Sequence, residues 1–272
     1  MEVGCRKCST FYRREQMNVV YEPKGRAREY AELACNLYIG CTHGCRYCYA
    51  PACMHTTGKK WHATAYPRQK VIELFEKDAM KLRGDPRRIL FSFLSDPYQP
   101  LEHKEHLTRQ ALEIVHKYGL KSQILTKGCL DLIQDDIEIM KKANTHLGIT
   151  LSFVNDEKRQ EWEPNASSVN DRLTILKSVH KAGIFTWVSL EPVIDPVEAL
   201  AVIRKVHNYV RFWKVGKLNH MKEYEQKVNW RKFLYDAETL LKKYEAKYYI
   251  KNDLRAFALG KRASELGLCL PH

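Results

Sequence analysis

Three closely spaced cysteines are the residues in this sequence best arranged for chemistry. The segment Gly40-Cys41-Thr42-His43-Gly44-Cys45-Arg46-Tyr47-Cys48-Tyr49-Ala50-Pro51 sets them at C-x3-C-x2-C. Thiolates hold cluster iron. Three of them on a cubane of four irons leave one iron open to a small molecule. The pattern therefore reads as a [4Fe–4S] site at Cys41, Cys45 and Cys48. A structural zinc site wants four closed ligands, usually as C-x2-4-C pairs. His43 could complete such a set, although it is crowded between two ligands on a short loop. Cys5 and Cys8 form a separate C-x2-C pair. That pair could ligate zinc or a second cluster, with Cys35 or Cys53 as partners, or be a plain thiol pair.

A loop of this kind has to be held by regular elements, and the apolar pattern supplies them. Residues 34–40 read as a strand running into the cysteine loop. Further strand-like runs lie at 88–94, 121–126, 147–153, 184–190 and 210–216. Amphipathic stretches with helical spacing separate them, at 67–83, 103–119, 130–143, 169–183 and 196–207. Strict alternation of strand and helix implies a parallel sheet with right-handed crossovers. Six units are too few for a closed eight-stranded barrel. They suit either an open, partial barrel or a flat doubly wound sheet, and periodicity does not separate the two. Residues 1–33 read as an N-terminal extension, 34–216 as the main α/β unit, and 217–272 as a basic C-terminal extension with a helix over 229–247.

Composition narrows the setting. The chain has 272 residues, nine of them cysteine, and 44% are hydrophobic. It contains no apolar run long enough to span a membrane, and Met1 to Arg14 lack the apolar core of a secretory signal. The expected location is the cytoplasm, where thiols stay reduced. An odd number of cysteines, six of them between Cys5 and Cys48, points to metal ligands and away from a disulfide framework. The net charge is +13, and residues 201–272 carry 16 Lys/Arg against 7 Asp/Glu. That balance suits a polyanionic partner such as nucleic acid, or else is a solvated basic surface.

The cysteine loop, with Tyr47 before its third cysteine, resembles the signature of the radical S-adenosylmethionine (SAM) superfamily. The resemblance implies an α/β fold that is a partial (β/α)6 TIM barrel with short N- and C-terminal extensions. It also implies two cofactors, the [4Fe–4S] cluster and SAM. The open iron would chelate SAM, and one electron from a flavodoxin- or ferredoxin-type donor would cleave it to a 5′-deoxyadenosyl radical. That radical would then abstract hydrogen from a substrate. A closer likeness runs through NLYIGCTHGCRYCYAP (36–51), SDPYQPLE (95–102), ILTKG (124–128), EPNASSVNDRLTILKSVHKAGI (163–184) and LEPVI (190–194). As a set these resemble the group related to spore photoproduct lyase, often labelled DNA repair photolyases.

The same resemblance assigns residues. Tyr47 and Tyr49 flank the third cysteine, where the family places a residue against SAM. Ser95 and Asp96 follow the second strand, Lys127 ends the third, Thr150 or Ser152 lies on the fourth, and Glu191 ends the fifth. All lie at C-terminal strand ends, where barrel enzymes build their sites. Each has a plainer reading. Ser95 and Asp96 could cap a helix or make an Asx turn before Pro97. Lys127 could be a solvated loop lysine, and Thr150 and Ser152 ordinary strand residues. Glu191 and Arg172 could form structural salt bridges. One departure is informative: spore photoproduct lyases carry a cysteine two residues before the Ser-Asp pair, and Phe93 stands there in this chain. The chain thus resembles the wider group and not a spore photoproduct lyase proper. Three functions remain open on the sequence. They are radical modification or repair of nucleic acid, radical modification of a peptide or small molecule, and a non-catalytic metal-containing nucleic-acid-binding module.

Overall fold

The apolar runs become strands because their side chains alternate between an inner surface and a helical shell. The computed structural model describes residues 19–260, so the Cys5/Cys8 pair lies outside the described residues. In chain order the strands are β1 (Val20–Tyr21), β2 (Leu33–Cys35), β3 (Tyr38–Ile39), β4 (Tyr66–Pro67), β5 (Arg88–Phe91), β6 (Lys121–Thr126), β7 (His146–Thr150), β8 (Phe185–Val193), β9 (Phe212–Lys217) and β10 (Tyr248–Ile250). Eight of them form one sheet in the order β1-β2-β5-β6-β7-β8-β9-β10. β1 is antiparallel to β2, and every other neighbouring pair is parallel.

From β2 to β10 the spatial order follows the chain without reversing. A doubly wound sheet must reverse at a switch point to cover both faces. A sheet that always adds its next strand on the same side keeps its helices on one face and curls into a barrel wall. The architecture is therefore the expected partial barrel, with β1 and β10 as its two edges. The helical shell packs with the spacing read from the sequence. Helix Leu107–Lys117 buries Ala111, Leu112 and Val115, and helix Val169–Lys181 buries Leu173, Leu176 and Val179. Ser168 caps the second of these by accepting from Asp171 N at 3.0 Å.

Local departures have identifiable causes. The run expected as one strand over 34–40 breaks at Asn36, whose side chain accepts from Leu94 N at 2.8 Å and donates to the Tyr21 hydroxyl at 2.9 Å. β3 beyond it leaves the main sheet and pairs with β4. Pro67 therefore sits in a strand and not in the first turn of a helix, which starts only at Val71. The main sheet has two strands beyond the six predicted: β1 and β10 are too short and too partly buried to show a period. The helix expected over 229–247 forms at Trp230–Lys243, and β10 follows it. Among the described residues, no helix is long and apolar enough to cross a membrane.

Two glycines are required by close approach. Gly40, at φ +82, presses against residue 64 so closely that a Cβ would lie 2.2 Å from Thr64 O. Gly148 on β7 lies under the Trp187 ring, where a Cβ would come within 2.1 Å. The first lets the chain turn into the cysteine loop, and the second lets β8 carry a tryptophan on the adjoining wall.

Candidate active site

The cysteine loop leaves β3 at Gly40 and is held by two backbone hydrogen bonds to its surroundings and one within itself. Cys41 N donates to Trp61 O at 3.4 Å, Arg46 N to Trp162 O at 2.9 Å and Cys48 N to Cys45 O at 3.1 Å. Asn165 reaches back, its N donating to His43 O at 3.1 Å and its Nδ2 to Thr42 O at 3.0 Å. Cys41 and Cys45 are buried, and Cys48 is half-buried. Burial pushes the Cys41 thiol up to about 11 and the Cys45 thiol to about 12. Loading iron must therefore displace thiol protons.

The donor set distinguishes a cluster from a single ion. Zinc held by thiolates at about 2.3 Å needs its sulfurs within about 4 Å of one another. Among the described residues the one group of three donors within 4.8 Å is His103, Cys129 and Asp131, so the three loop thiols do not all lie within that distance of one another. His43 is engaged by a carboxylate, its Nδ1 3.5 Å from Asp96 Oδ2. Burial lowers its pKa, against the pull of Asp96. The wider spread suits the corners of a cubane.

Around this loop lies a charged network buried in the wall. Tyr47 donates its hydroxyl hydrogen to Glu163. Glu163 pairs with Arg172 at 2.6 Å, and both side chains are 0% exposed. Arg172 Nη1 also donates to Thr150 O at 3.0 Å, tying the network to the end of β7. Burial acts to raise the Glu163 pKa, but the Arg172 and Lys127 charges outweigh it and hold the carboxyl below its ordinary value. Lys127 lies 5.7 Å above the Tyr47 ring. Burial works against its charge, yet Cys45, Glu163 and Asp96 keep its pKa above the usual lysine value.

The structure sorts the other sequence candidates by what their polar atoms already do. Ser95 Oγ donates to Tyr38 O at 3.1 Å. The Asp96 carboxylate accepts from Tyr98 N at 2.9 Å, Thr126 Oγ1 at 2.5 Å and Lys127 N at 2.7 Å. It makes the Asx turn before Pro97 and aims the loop that carries Lys127. Ser152 is fully buried, and its Oγ has no partner. Thr150 is buried beside it. Tyr49 is exposed and donates to Phe93 O at 3.0 Å.

Glu191 joins a different group. Its Oε1 accepts from Lys251 Nζ at 3.0 Å, and its Oε2 accepts from the Tyr30 hydroxyl. Tyr30 also shares a hydrogen bond with Ser189 Oγ at 2.8 Å. Lys214 Nζ donates to Glu29 O at 2.7 Å and Tyr30 O at 2.9 Å, with the Tyr30 ring 4.8 Å away. None of Tyr30, Glu163, Lys214 and Lys251 received a role from the sequence. A lysine inside the apolar run VRFWKVG was the available signal for Lys214. The others depend on contacts far apart in sequence. Above this group, at the C-terminal ends of β9 and β10, a cleft of about 440 Å³ is lined by Arg26, Lys217, Asn219, His220, Lys222 and Phe257, with Glu225 and Asp253.

An orphaned serine hydroxyl, a charged lysine beside the thiols and a splayed tri-thiolate fit a cluster with a small polar ligand. The chain is similar to several known proteins. An uncharacterized protein of Methanocaldococcus jannaschii is 29% identical over 192 residues, 70% of this chain and 71% of its own. A radical SAM Nalpha-GlyT isomerase of Pseudomonas phage M6 is 25% identical over 190 residues, 65% of this chain and 38% of its own length. Among solved structures, spore photoproduct lyase with a dinucleoside spore photoproduct superposes with a TM-score of 0.65 at 14% identity, covering 88% of this chain and 80% of its own. Streptococcus suis SuiB bound to its precursor peptide SuiA superposes at 0.60 and 12%, covering 86% of this chain and 53% of its own. Residues 35–210 match the family described as the radical SAM superfamily, and the chain belongs to it.

Proposed function

We propose that this radical SAM enzyme modifies or repairs nucleic acid held at the barrel mouth. One observation carries the reading. The cleft over β9 and β10 is lined by Arg26, Lys217 and Lys222 together with the exposed ring of Phe257, and Asp253, 3.7 Å from Arg26, and Glu225 offset part of that charge. Cations that track a phosphate backbone beside an aromatic platform suit a single strand. A base stacked inside a duplex is out of reach of a recessed site, so a duplex substrate has to surrender its base first. The dinucleoside bound by a spore photoproduct lyase on the same fold supports the reading.

Cys41, Cys45 and Cys48 would hold three irons of a [4Fe–4S] cluster. Lys127, Thr150 and Ser152, with Ser95 and Tyr49, would hold SAM. When bound, these cofactors supply a carbon-centred radical that takes a hydrogen atom from the substrate. The chain's part is positional and electrostatic. Lys127 offsets the negative charge that three thiolates bring into a buried wall. The Tyr47–Glu163–Arg172 network fixes the loop against β7, and the burial of Cys41 and Cys45 shields the inner side of the site from water. A low-potential flavodoxin or ferredoxin delivers the electron, and the enzyme works in the cytoplasm.

The test is binding and hydrogen transfer by the anaerobically reconstituted protein. Affinity for a single-stranded oligonucleotide is expected to fall steeply as salt rises, and to weaken in Arg26→Glu and Lys222→Glu. Deuterium from a labelled oligonucleotide is expected in 5′-deoxyadenosine. A second reading, a peptide substrate, has support from the peptide-bound SuiB structure. Salt-independent or absent oligonucleotide binding, with deuterium taken from a labelled peptide, would establish it instead.

A further inference from the structure

The geometry points to a second metal site, which we propose binds zinc or a similar borderline divalent cation at His103, Cys129 and Asp131. It is built outside the cysteine loop, from the segments that follow β5 and β6. Cys129 stands at the N-cap of helix Leu130–Asp135, with Asp131 in its first turn. His103 comes from helix Glu102–Glu105. One ligand atom from each lies within 4.8 Å of the other two. A tetrahedral ion needs its donors about an ångström closer. Asp131 and His103 supply that by small rotations, being 67% and 47% exposed.

The donor chemistry is selective. Sulfur, imidazole nitrogen and carboxylate oxygen together suit zinc, and three protein ligands leave one position for water. The orientation of His103 is already that of a ligand. Its Nδ1 lies 3.3 Å from Pro100 O, and its Nε2 lies 2.7 Å from Asp131 Oδ2. Nε2 thus faces the Asp131 carboxylate, the side from which an ion shared with that carboxylate would be bound. The Pro100 carbonyl then plays the outer partner that fixes the tautomer of a metal-bound histidine.

Cys129 is held in place independently of any ion, its N donating to Tyr98 O at 3.0 Å. Gly128 before it packs so tightly on Tyr98 that a Cβ would lie 2.2 Å from Tyr98 O. The ion would therefore clamp two loops together: the one carrying Ser95 and Asp96, and the one carrying Lys127. The site stands on its own geometry and does not depend on the substrate assigned above.

The test uses full-length protein with its cluster assembled, in a Cys5→Ser/Cys8→Ser/Cys53→Ser background. Anaerobic titration with Co²⁺ is expected to show about one equivalent bound, with a thiolate-to-cobalt charge-transfer band and tetrahedral d–d absorption. Cys129→Ser should abolish the charge-transfer band. His103→Ala and Asp131→Asn should weaken cobalt binding by at least about tenfold. Zinc should raise Tm in the parent and not in Cys129→Ser. Circular dichroism and iron content establish that each variant is folded. If Cys129→Ser fails that check, the two exposed positions carry the test. A charge-transfer band that survives in folded Cys129→Ser, no such band in the parent, or unchanged affinity in both other variants overturns the site.

Discussion

Arg172 and Glu163 meet at 2.6 Å with neither side chain open to solvent. The contact uses one nitrogen of the guanidinium, while Nε and Nη2 stay buried without partners. Desolvating two charges is costly, and their attraction offsets that cost only while both are present. Because Glu163 also accepts from Tyr47, this pair is one of the anchors of the cluster loop.

Arg172→Ala is therefore expected to destabilise the fold by about 3–5 kcal/mol, read from urea unfolding, and to lower iron retention. Glu163→Leu combined with Arg172→Met should cost less than the sum of the singles, because no charge is stranded. The depressed Glu163 pKa adds a pH signature. Its contribution is present above the ordinary glutamate value and is lost as pH falls through the folded value. Arg172→Ala should accordingly lose its acid-side slope.

Ser152 makes the opposite kind of prediction. Its hydroxyl is buried with no partner, so Ser152→Ala removes an unsatisfied group. Without SAM the variant should be as stable as the parent, or up to about 1 kcal/mol more stable. Its SAM dissociation constant should rise about tenfold, by calorimetry on the oxidised cluster form. Equal SAM affinity in the two proteins would remove Ser152 from the site.

Gly148 tests the wall. A methyl there meets the Trp187 ring, and overpacking of this kind costs about 1–3 kcal/mol. Gly148→Ala should lower the unfolding free energy by that amount, read from urea unfolding, and Gly148→Ala/Trp187→Leu should recover part of it.

Lys214 carries a dependence on alkaline pH. Burial, helped by the Lys251 charge, lowers its pKa from 10.5 to about 7. Between those values the unfolded chain holds a proton that the folded chain has released, so this residue makes stability rise with pH. The parent should gain stability relative to Lys214→Met between pH 7 and pH 10, and a constant difference would show that Lys214 stays charged.

The sequence made legible what is local. C-x3-C-x2-C declared the thiols, and apolar runs at 88–94, 121–126 and 184–190 declared β5, β6 and β8. Ser95, Asp96 and Lys127 lie at the strand ends where the resemblance put them. Asp96, though, spends its oxygens on Tyr98 N, Thr126 Oγ1 and Lys127 N, which is the Asx-turn reading. Non-local features were invisible. Glu163 meets Tyr47 across 116 residues of chain and Tyr30 meets Glu191 across 161. No spacing rule reaches so far. β1 and β10 span two and three residues, too few for a period to appear. Asn36 ended β2 early through bonds to Leu94 and Tyr21, which a strand propensity does not register.

Glu29 has a consequence for how the molecule is made. Its carboxylate accepts from the Tyr249 hydroxyl at 2.9 Å and from Asn252 N, 223 residues later, at 3.0 Å. A chain emerging from the ribosome cannot close that latch until residue 252 has been translated. The contacts that hold the thiol loop end at Arg172, so they can form while the Glu29 latch is still open.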